Sequence, residues 1–532
     1  MLKGELLSVE LKEITQNREK YLKKQAKKEK REAKRLAKKN RPHSMVRQII
    51  WTVVIGIVWT LAAAFMSLSI WYKATFDMEF AELLFTLLSP VGGTGQSTSS
   101  LIISSCVPFT AVCALAYVAI AFGFHFRNKL CKVLRVVGAW VCVVALVVSA
   151  TAAVIVFRIP RYLMLRFGHT MIYDDYYINP DDVEIYDTDG VKKNLIYVYV
   201  ESMETTYASK AVGGIQPKNN YIPNMTELAF REENVHFSDG EGLGGFHSVT
   251  GTGWTMGALM STTSGIPFSQ DVLGAGNEHG KNGNFCNKLT ALGDILEEQG
   301  YKQEFLCGSD AKFAGRDAYF KQHGNYEIFD LYTAREEGYI ADDYYVWWGY
   351  DDYILFDIAR DEITELAAGD QPFNFTMLTV DTHHVGGWQC KMCGEEYDSR
   401  LENVIACTDK LVGDFIAWCE TQPWYEDTVI IISGDHPRMD NQLVATDFYD
   451  RTIYNCFINS EVDTENTKNR VFTSMDMFPT ILAAMGYTIE GDRLGLGTNL
   501  FSDLPTLAEE LGYDYLNTEL GKNSRYYKKN FS

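Results

Sequence analysis

Three long apolar runs constrain the fold of this chain more than any other feature of its sequence. They cover residues 49–71, 101–124 and 136–157. Each run is close to the ~20 residues that a helix needs to cross the hydrocarbon core of a bilayer. The first run is too long, and starts too far along the chain, to be a cleaved signal peptide. The sequence therefore predicts a membrane domain with three transmembrane helices over residues 49–157.

Charge distinguishes the residues before this domain from those after it. The 532 residues carry a formal net charge of −20, from 49 basic and 69 acidic side chains. Residues 1–48 hold 16 of the basic and 6 of the acidic side chains, and they have too few apolar residues to build a core. We expect a solvated basic arm, partly helical or disordered. The remaining body is acidic and would repel phosphate backbones, which argues against a nucleic-acid partner.

The loops between the apolar runs predict the orientation of the membrane domain. The loop after the first run is acidic, and the turn after the second run is basic. Lys and Arg are enriched on the cytoplasmic side of membrane helices. We therefore expect a multi-pass cell-membrane protein with a cytoplasmic N-terminus and an extracellular or periplasmic C-terminal domain. The acidic residues are Asp77, Glu79 and Glu82, and the basic residues are Arg127, Lys129, Lys132 and Arg135.

Beyond the membrane domain, strand patterns alternate with helix patterns. Residues 158–193 form a connector that mixes basic, aromatic and aliphatic residues, as an interfacial helix or an ordinary packed linker does. Alternation predicts an α/β catalytic domain over residues 194–500, with a central, mostly parallel sheet flanked by helices, and then a C-terminal tail over residues 501–532. The expected strands are 194–200, 302–307, 373–380 and 428–433, and the expected helices are 285–298, 351–367, 400–420 and 475–487.

Ionisable residues follow three of the expected strands. Glu201 follows the first, the group Asp381–His384 ends the third, and Asp435-His436 follows the fourth. Ligands of open α/β sheets bind beyond the carboxyl ends of the strands, so these side chains are candidates for one site. The sequence has no Walker A motif, and its glycines do not fit a dinucleotide fingerprint, which excludes the usual nucleotide sites.

The stretch from Gly251 to Pro267, GTGWTMGALMSTTSGIP, places Thr255 at the expected start of a helix. Threonine at that position is commonly an N-cap, and a bare hydroxyl is a poor nucleophile. A metal ion lowers the pKa of a hydroxyl that it binds, which makes threonine reactive at neutral pH. Thr255 is therefore either a helix cap or a catalytic nucleophile that also binds a metal.

The residues at the strand ends supply the ligands for such a metal. Glu201, Asp435 and His436, with the Thr255 oxygen, suit one divalent ion, Mn²⁺ first and Zn²⁺ or Mg²⁺ as alternatives. His383, His384 and Arg316 can bind a phosphate and move a proton. We assign these three residues to substrate binding, together with Asp310. Arg316 can alternatively form a surface salt bridge with Asp310 or Asp317.

Seven cysteines lie in the expected outer domain, where disulfides are permitted. The pair Cys390-x-x-Cys393 has the spacing of half a zinc site, but no second pair with suitable spacing follows. We therefore expect a disulfide there that involves Cys407. The other outer cysteines are Cys286, Cys307, Cys419 and Cys456.

Several of these motifs, in this order, resemble the sulfatase-like, membrane-anchored phosphotransferases of the alkaline phosphatase superfamily, in particular their phosphoglycerol transferase and lipoteichoic acid synthase branch. The resemblance covers residues 194–500. It implies that Glu201, Thr255, Asp435 and His436 are the metal and nucleophile positions, that His383 binds substrate, and that Arg316 binds a lipid head group. The motifs are NLIYVYVES, GTGWTMGALMSTTSGIP, GSDAKFAGRD, TVDTHH and SGDHPRMDN.

Three departures qualify what the resemblance implies. Lipoteichoic acid synthases usually have five membrane spans where this sequence has three. They also have a tryptophan near the arginine, where this sequence has Ala314. The C/S-x-P-x-R motif that sulfatases need for formylglycine is absent around Thr255, which argues against sulfate ester hydrolysis.

The resemblance implies a metal-dependent transfer of glycerophosphate from an anionic phospholipid, phosphatidylglycerol, to a cell-envelope glycan or glycerol-phosphate acceptor, through a phospho-threonine. Three alternatives remain open at this point. The group transferred could be phosphoethanolamine, water could be the acceptor as in a phosphodiesterase, or the domain could bind ligands without catalysis.

Overall fold

The computed structural model describes residues 2–39, 45–76, 80, 98–125, 130–187, 190–269, 284–444 and 447–531. They fall into two compact units, one of Met1–Phe65 with Phe109–Ser149 and one of Met66–Pro108 with Ala150–Ser532. The acidic loop residues Asp77, Glu79 and Glu82, and Arg127 and Lys129 of the basic turn, lie outside the described residues.

Four long helices lie in the part of the chain that the structure describes up to Val156. The basic arm is a helix whose side chains from Ile14 to Ala37 are exposed to solvent, as expected for a segment without an apolar core. The next three helices contain the stretches Ile49–Thr75, Ile102–Ala121 and Val136–Val156, each long and apolar enough to cross a membrane. The bounds of the four helices are α1 (Leu2–Lys39), α2 (Met45–Thr75), α3 (Thr98–His125) and α4 (Leu130–Val156).

Strands and shorter helices alternate through most of the rest of the chain. The helices are α5 (Ile159–Phe167), α6 (Ile172–Tyr176), α7 (Pro223–Phe230), α8 (Thr255–Ser264), α9 (Leu292–Glu298), α10 (Arg316–Gln322), α11 (Leu331–Glu336), α12 (Asp352–Ala367), α13 (Arg400–Cys419), α14 (Met477–Ala484), α15 (Leu507–Leu511), α16 (Tyr513–Leu520) and α17 (Arg525–Asn530). The strands are β1 (Ile185–Asp187), β2 (Asn194–Val200), β3 (Phe246–His247), β4 (Lys302–Cys307), β5 (Glu327–Phe329), β6 (Phe373–Leu378), β7 (Thr428–Gly434), β8 (Thr452–Ile453), β9 (Asn455–Ile458), β10 (Tyr487–Ile489), β11 (Arg493–Leu494) and β12 (Gly497–Thr498).

The central sheet has six strands in the order β5-β4-β6-β2-β7-β9. Neighbouring strands are parallel except β9, which runs antiparallel to β7. Because β2 lies between β6 and β7, the carboxyl ends of these three strands meet at the middle of one sheet edge. This arrangement confirms the predicted fold class, an α/β domain with a mostly parallel sheet.

Alternate side chains of β2 enter two different hydrophobic cores. Leu195, Tyr197 and Tyr199 pack into a core that includes residues of α8, α9 and α14. The side chains between them on the strand pack into a second core with α7, α12 and α13. Successive side chains of a strand point to opposite faces of the sheet, so helices cover both faces and β2 is buried along nearly its whole length.

Some elements differ from the expectations. The helix expected over 285–298 spans only Leu292–Glu298, and the helix expected to reach residue 487 ends at Ala484, before β10. The expected tail forms α15, α16 and α17, and its apolar residues pack into the same core as α8. This packing could not be read from short, weakly periodic segments, because long-range contacts stabilise them. The core residues of the tail include Leu507, Leu516, Leu520, Tyr527 and Phe531.

Candidate active site at the ends of the central strands

Strand register brings two carboxylates together at the edge of the sheet. Val200, the last residue of β2, pairs with Gly434, the last residue of β7. The next residues on these two strands are Glu201 and Asp435, which therefore leave the sheet side by side. Glu201, Asp435 and His436 are at most 2% exposed. One ligand atom from each of the three lies within 4.8 Å of the others.

Backbone and side-chain hydrogen bonds hold these carboxylates in place. The N–H groups of Ser202 and His436 both donate to Oδ1 of Asp435, at 2.7 and 2.8 Å. The Ser202 hydroxyl donates to Oε1 of Glu201 at 2.7 Å, and the Glu201 N–H donates to the Thr379 hydroxyl at 3.0 Å. Oδ1 of Asp435 is thus occupied, and Oδ2 remains for a ligand.

The imidazole of His436 presents Nε2 to the carboxylates. Its Nδ1 lies 2.9 Å from the carbonyl oxygen of Pro437. A carbonyl oxygen only accepts, so Nδ1 carries a proton and Nε2 is the nitrogen available as a ligand. Nε2 lies 3.5 Å from Oε1 of Glu201 and 3.4 Å from Oδ2 of Asp435.

Thr255 is the first residue of α8 and reaches the same point from a helix. Its hydroxyl donates to Oε2 of Glu201 at 3.1 Å and lies 3.4 Å from Nε2 of His436. The N-cap residue of α8 is Trp254, and no side chain caps this helix. The Thr255 hydroxyl therefore faces the carboxylate of Glu201. It does not cap the helix, although a helix cap was one of the two interpretations of the sequence.

A close backbone approach positions the first turn of α8. A Cβ atom at Gly257 would lie 2.1 Å from the carbonyl oxygen of Gly251 and 2.7 Å from the Trp254 indole nitrogen. Neither atom is the free end of a flexible side chain, so only glycine fits there without displacing the turn. Gly257 thus allows the Gly251 loop and the start of α8 to pack closely beside Glu201.

The two carboxyl groups have opposite pKa shifts. Burial, followed by the charge of Glu201, raises the pKa of Asp435 to about 7. Burial also acts to raise the pKa of Glu201, but His383, His436 and the Ser202 hydroxyl outweigh it and lower that pKa below its ordinary value. Two carboxylates this close and this buried repel each other when both are ionised, and a bound cation would relieve the repulsion.

The donor set fits a divalent metal. Oδ2 of Asp435 is buried and has no hydrogen-bond partner among the described residues, although the His436 ring lies beside it. An unsatisfied buried carboxylate oxygen costs free energy unless a cation or donor compensates it. Two carboxylates and an imidazole nitrogen, with a hydroxyl beside them, are the ligand types that Mn²⁺ and Zn²⁺ accept.

His383 and His384 lie in the loop that follows β6. Nδ1 of His383 lies 2.7 Å from the His384 carbonyl oxygen, which leaves Nε2 of His383 as its second functional nitrogen. Burial lowers the pKa of His383, and the nearby charge of Glu201 partly opposes that shift. Burial, followed by the charges of His383 and Arg438, lowers the pKa of His384 well below its ordinary value. The two rings stack 4.2 Å apart.

Arg316 and Asp310 have different surroundings. The Arg316 guanidinium is nearly buried and donates to the hydroxyl of Ser309 at 2.9 Å and to the backbone oxygens of Asp310 and Phe313 at 2.8 and 3.2 Å. The Asp310 carboxylate instead accepts from the Lys312 N–H at 2.9 Å. In the described part of the chain, Arg316 forms no salt bridge with Asp310 or Asp317, so the surface ion pair considered from the sequence is not formed.

Trp348 was not among the site residues predicted from the sequence, yet its ring lies between His383 and the Phe313 ring beside Arg316. The centroid of the Trp348 ring lies 4.3 Å from that of His383 and 5.5 Å from that of Phe313. The Arg316 guanidinium lies over the Phe313 ring. The adjacent pair Trp347-Trp348 was the only local signal. Trp348 supplies an indole ring to the region of Arg316 from a separate loop.

Arg438 was also missed, although it lies in the SGDHPRMDN motif. It is fully buried, forms a two-point salt bridge with Asp440 at 2.7 Å for each contact, and donates to the Thr382 carbonyl oxygen at 2.6 Å. Arg438 thereby connects the loop after β7 to the loop after β6, next to His383.

The C-terminal end of α2 packs against these loops. Phe76 is buried with Tyr72, Phe157 and Met439, and its ring centroid lies 6.0 Å from that of His384. The Asn441 N–H donates to the Thr75 carbonyl oxygen at 3.2 Å. The end of an apolar helix is thus a direct neighbour of the candidate site.

The expected disulfide is not formed. All cysteines whose side chains the structure describes are free thiols. Sγ of Cys390 lies 3.6 Å from Sγ of Cys393 and 3.9 Å from Sγ of Cys407, which exceeds the ~2.05 Å of a disulfide bond. The expected partners are therefore close together, but as three thiols.

Comparison with known proteins agrees with this fold and motif set. The family model described as Sulfatase matches residues 193–487, more than half of the chain. Phosphoglycerol transferase I from Xanthomonas euvesicatoria is 29% identical over 339 residues, which cover 61% of this chain and 46% of that protein. Phosphoglycerol transferase I from Escherichia coli O127:H6 is 32% identical over 325 residues, which cover 58% of this chain and 39% of that protein. The chain thus spans less than half the length of these curated relatives.

Among solved structures, the integral membrane protein lipooligosaccharide phosphoethanolamine transferase A from Neisseria meningitidis is 14% identical to this chain. The match has a TM-score of 0.47 and covers 84% of this chain and 85% of that one. The family match over residues 193–487 confirms the family predicted from the motifs: the chain belongs to the sulfatase family.

Proposed function

We propose that this protein is a membrane phosphotransferase that moves a glycerophosphate group from phosphatidylglycerol to a cell-envelope glycan or glycerol-phosphate acceptor, with Thr255 as the nucleophile. The main observation in support is the position of the Thr255 hydroxyl at the start of a helix. Its oxygen lies 3.1 Å from Oε2 of Glu201 and 3.4 Å from Nε2 of His436. The names of the curated relatives, which are phosphoglycerol transferases, support the group transferred.

Glu201, Asp435, His436 and Thr255 would hold one divalent metal, with Mn²⁺ as the first expectation. Such an ion supplies Lewis acidity, which lowers the pKa of a bound hydroxyl and stabilises charge on phosphoryl oxygens. The residues of the chain do the rest. Oγ1 of Thr255 attacks the phosphorus, its proton passes toward Oε2 of Glu201, and the bond from phosphorus to the diacylglycerol oxygen breaks.

His383 would move the second proton. The charge of Glu201, which opposes the effect of burial on His383, and the charge of a bound phosphodiester would favour the imidazolium form. In that form His383 gives its Nε2 proton to the departing diacylglycerol oxygen. As a neutral imidazole it then takes a proton from the acceptor hydroxyl, whose oxygen attacks the phosphorus of the phospho-threonine. The bond from phosphorus to Oγ1 breaks, and Oγ1 of Thr255 takes its proton back from Glu201. The Trp348 ring, tilted by 50° with its centroid 4.3 Å from that of the His383 ring, would restrict the rotation of that ring. Arg316, with Asp310 beside it, would contact the head group from the Phe313 side.

The contact between α2 and the site supports a lipid donor. Phe76 follows the apolar helix directly and packs against His384. A site built against the end of a membrane-crossing helix would lie near lipid head groups, so the donor would be present at high local concentration. By this proposal residues 158–532 lie on the outer side of the membrane.

Incubation of the full-length protein in detergent with labelled phospholipids tests the proposal. Phosphatidylglycerol should yield diacylglycerol and a glycerophosphate adduct on Thr255, detected by intact mass and peptide mapping. An adduct formed only from phosphatidylethanolamine would identify a phosphoethanolamine transferase instead. Product release without any adduct, unchanged by added glycan, would indicate a phosphodiesterase and contradict the transfer step.

A further inference from the structure

Cys390, Cys393 and Cys407 form a compact thiol cluster that the proposed reaction does not use. We propose that this cluster binds a thiophilic divalent cation, with Zn²⁺ as the expected ion. Cys390 and Cys393 lie in the loop between β6 and α13, and Cys407 lies on α13 itself. Cys390 and Cys407 are buried, and Cys393 is partly exposed.

The distances between the sulfur atoms fit one tetrahedral ion. Zinc binds thiolate sulfur at ~2.3 Å, so two sulfurs on one tetrahedral ion lie about 3.8 Å apart. The two measured separations from Cys390 are 3.6 and 3.9 Å. Ligand atoms of all three cysteines lie within 4.8 Å of one another. A disulfide would join only two of these three sulfurs and would leave the third thiol beside it.

The local backbone favours a thiolate at Cys390. The Met392 N–H donates to Sγ of Cys390 at 3.4 Å, and the Cys393 N–H donates to the Cys390 carbonyl oxygen at 3.2 Å. The two-residue spacing between these cysteines is the spacing of paired zinc ligands. A donor directed at sulfur stabilises its ionised form, which is the form that binds metal.

A buried carboxylate next to the cluster points to a cation. A carboxylate oxygen of Asp381 lies within 4.8 Å of Sγ of Cys390, and so does one of Asp351. The Asp351 oxygens accept from Trp388 and Tyr344. Asp381 is 3% exposed, and its Oδ1 has no hydrogen-bond partner among the described residues. Because an unsatisfied buried carboxylate is costly, a cation in the thiol cluster explains its presence.

A cation bound by the cluster would connect the loop that contains His383 to α13. The Trp388 N–H donates to the Asp381 carbonyl oxygen at 2.7 Å, so the segment from Asp381 to Cys393 folds back on itself. A cation held by Cys390, Cys393 and Cys407 would anchor this segment to the helix. Its role is structural, and it acts independently of the metal proposed beside Thr255.

Elemental analysis and cobalt substitution of the full-length protein in detergent test this site. Glu201→Gln serves as the background, because it weakens the metal site beside Thr255. That variant should retain about one zinc per chain, and Glu201→Gln with Cys393→Ser should lose it. Cys456→Ser is the matched control and should retain zinc, since Cys456 is a buried thiol that donates to the Leu228 carbonyl oxygen and lies outside the cluster.

Replacement of the zinc by Co²⁺ gives a readout that is specific for sulfur. The Glu201→Gln protein should show thiolate-to-cobalt charge-transfer absorption and the visible bands of tetrahedral cobalt. Oxygen and nitrogen ligands beside Thr255 give no thiolate band, so failure of the proposed transferase reaction would leave this result unchanged. The cobalt spectrum decides the matter even if the Cys393→Ser variant does not fold.

A disulfide would overturn the proposal. In that case the denatured protein, alkylated in the presence of a chelator, would leave two of these three cysteines unmodified. Before alkylation, its intact mass would be lower than that of the reduced chain by the mass of two hydrogen atoms. Absence of both zinc and the charge-transfer band in the Glu201→Gln protein would overturn it as well.

Discussion

At the scale of single residues, the hydroxyl of Thr255 separates two interpretations that the sequence left open. A capping threonine bonds to N–H groups of its own helix, whereas this hydroxyl donates to Glu201. The difference matters because loss of a cap costs about 1 kcal/mol of stability, and loss of a nucleophile removes the reaction.

We predict that Thr255→Ala lowers diacylglycerol release from phosphatidylglycerol by roughly 10³-fold or more. Thr255→Ser keeps the hydroxyl and should retain measurable turnover. Thr262→Ala is the control, because Thr262 lies on the same helix but bonds to Tyr199 in the core. Diacylglycerol release at a near wild-type rate from folded Thr255→Ala protein would show that Thr255 is not the nucleophile.

A second prediction concerns Glu304 on β4 and the pH dependence of stability. It is 4% exposed, and its Oε1 has no hydrogen-bond partner among the described residues. Burial, followed by the charges of Glu362 and Glu327, raises the pKa of Glu304 from 4.5 to about 9. The folded state therefore holds a proton that the unfolded state has lost, and the free energy of unfolding falls as the pH rises between these values.

We expect Glu304→Gln to raise the Tm at pH 8 by a few degrees, which corresponds to about 1 kcal/mol, and to change it little at pH 5. The amide stays neutral, so it removes the cost of ionising a buried side chain. Thermal unfolding of the full-length protein at both pH values measures the effect. Lys218→Gln, at an exposed position that does not affect Glu304, is the control. An equal shift at both pH values would exclude titration of Glu304 as the cause.

At the scale of elements, the start of α8 depends on the space beside Gly257. We predict that Gly257→Ala displaces the first turn, because its Cβ would lie 2.1 Å from the Gly251 carbonyl oxygen. Diacylglycerol release should then fall at least tenfold, since Thr255 moves away from Glu201. Ser264→Ala, at the other end of α8, should keep near wild-type activity. A fully active Gly257→Ala protein would show that the site does not require this close packing.

The register of the central sheet also positions the residues of the candidate site. Glu201 and Asp435 meet because β2 and β7 are adjacent and in a register that pairs Val200 with Gly434. A shift of either strand by one residue would turn one of these carboxylates toward the opposite face. The buried Arg438–Asp440 pair then holds the loop after β7 against the Thr382 carbonyl oxygen.

At the scale of the whole molecule, orientation in the membrane is the main expectation that requires measurement. We predict that a cysteine placed at Tyr515, an exposed position on α16, reacts with a membrane-impermeant thiol reagent in intact cells. A cysteine at Ile14, exposed on α1, should react only after lysis. Labelling in the reverse pattern would place the catalytic domain in the cytoplasm and rule out the proposed topology.

Local patterns in the sequence determined much of this architecture. Apolar runs of membrane-spanning length, and strands alternating with helices, predict the element types because hydrophobic periodicity is a property of neighbouring residues. The polar residues directly after buried strands predict the edge of the sheet where a ligand binds. Glu201, Asp435 and His436 are therefore identifiable from the sequence as candidate site residues, as is Thr255 through its motif.

Only the tertiary structure decided which of these residues meet. The strand order β6-β2-β7 and the approach of α8 bring residues 54 positions apart or more into contact. The same holds for Trp348 beside His383, for Cys407 beside Cys390 and Cys393, and for the tail helices that complete the core. These contacts depend on packing between segments distant in sequence. They produce no periodic pattern among neighbouring residues, so the sequence alone does not predict them.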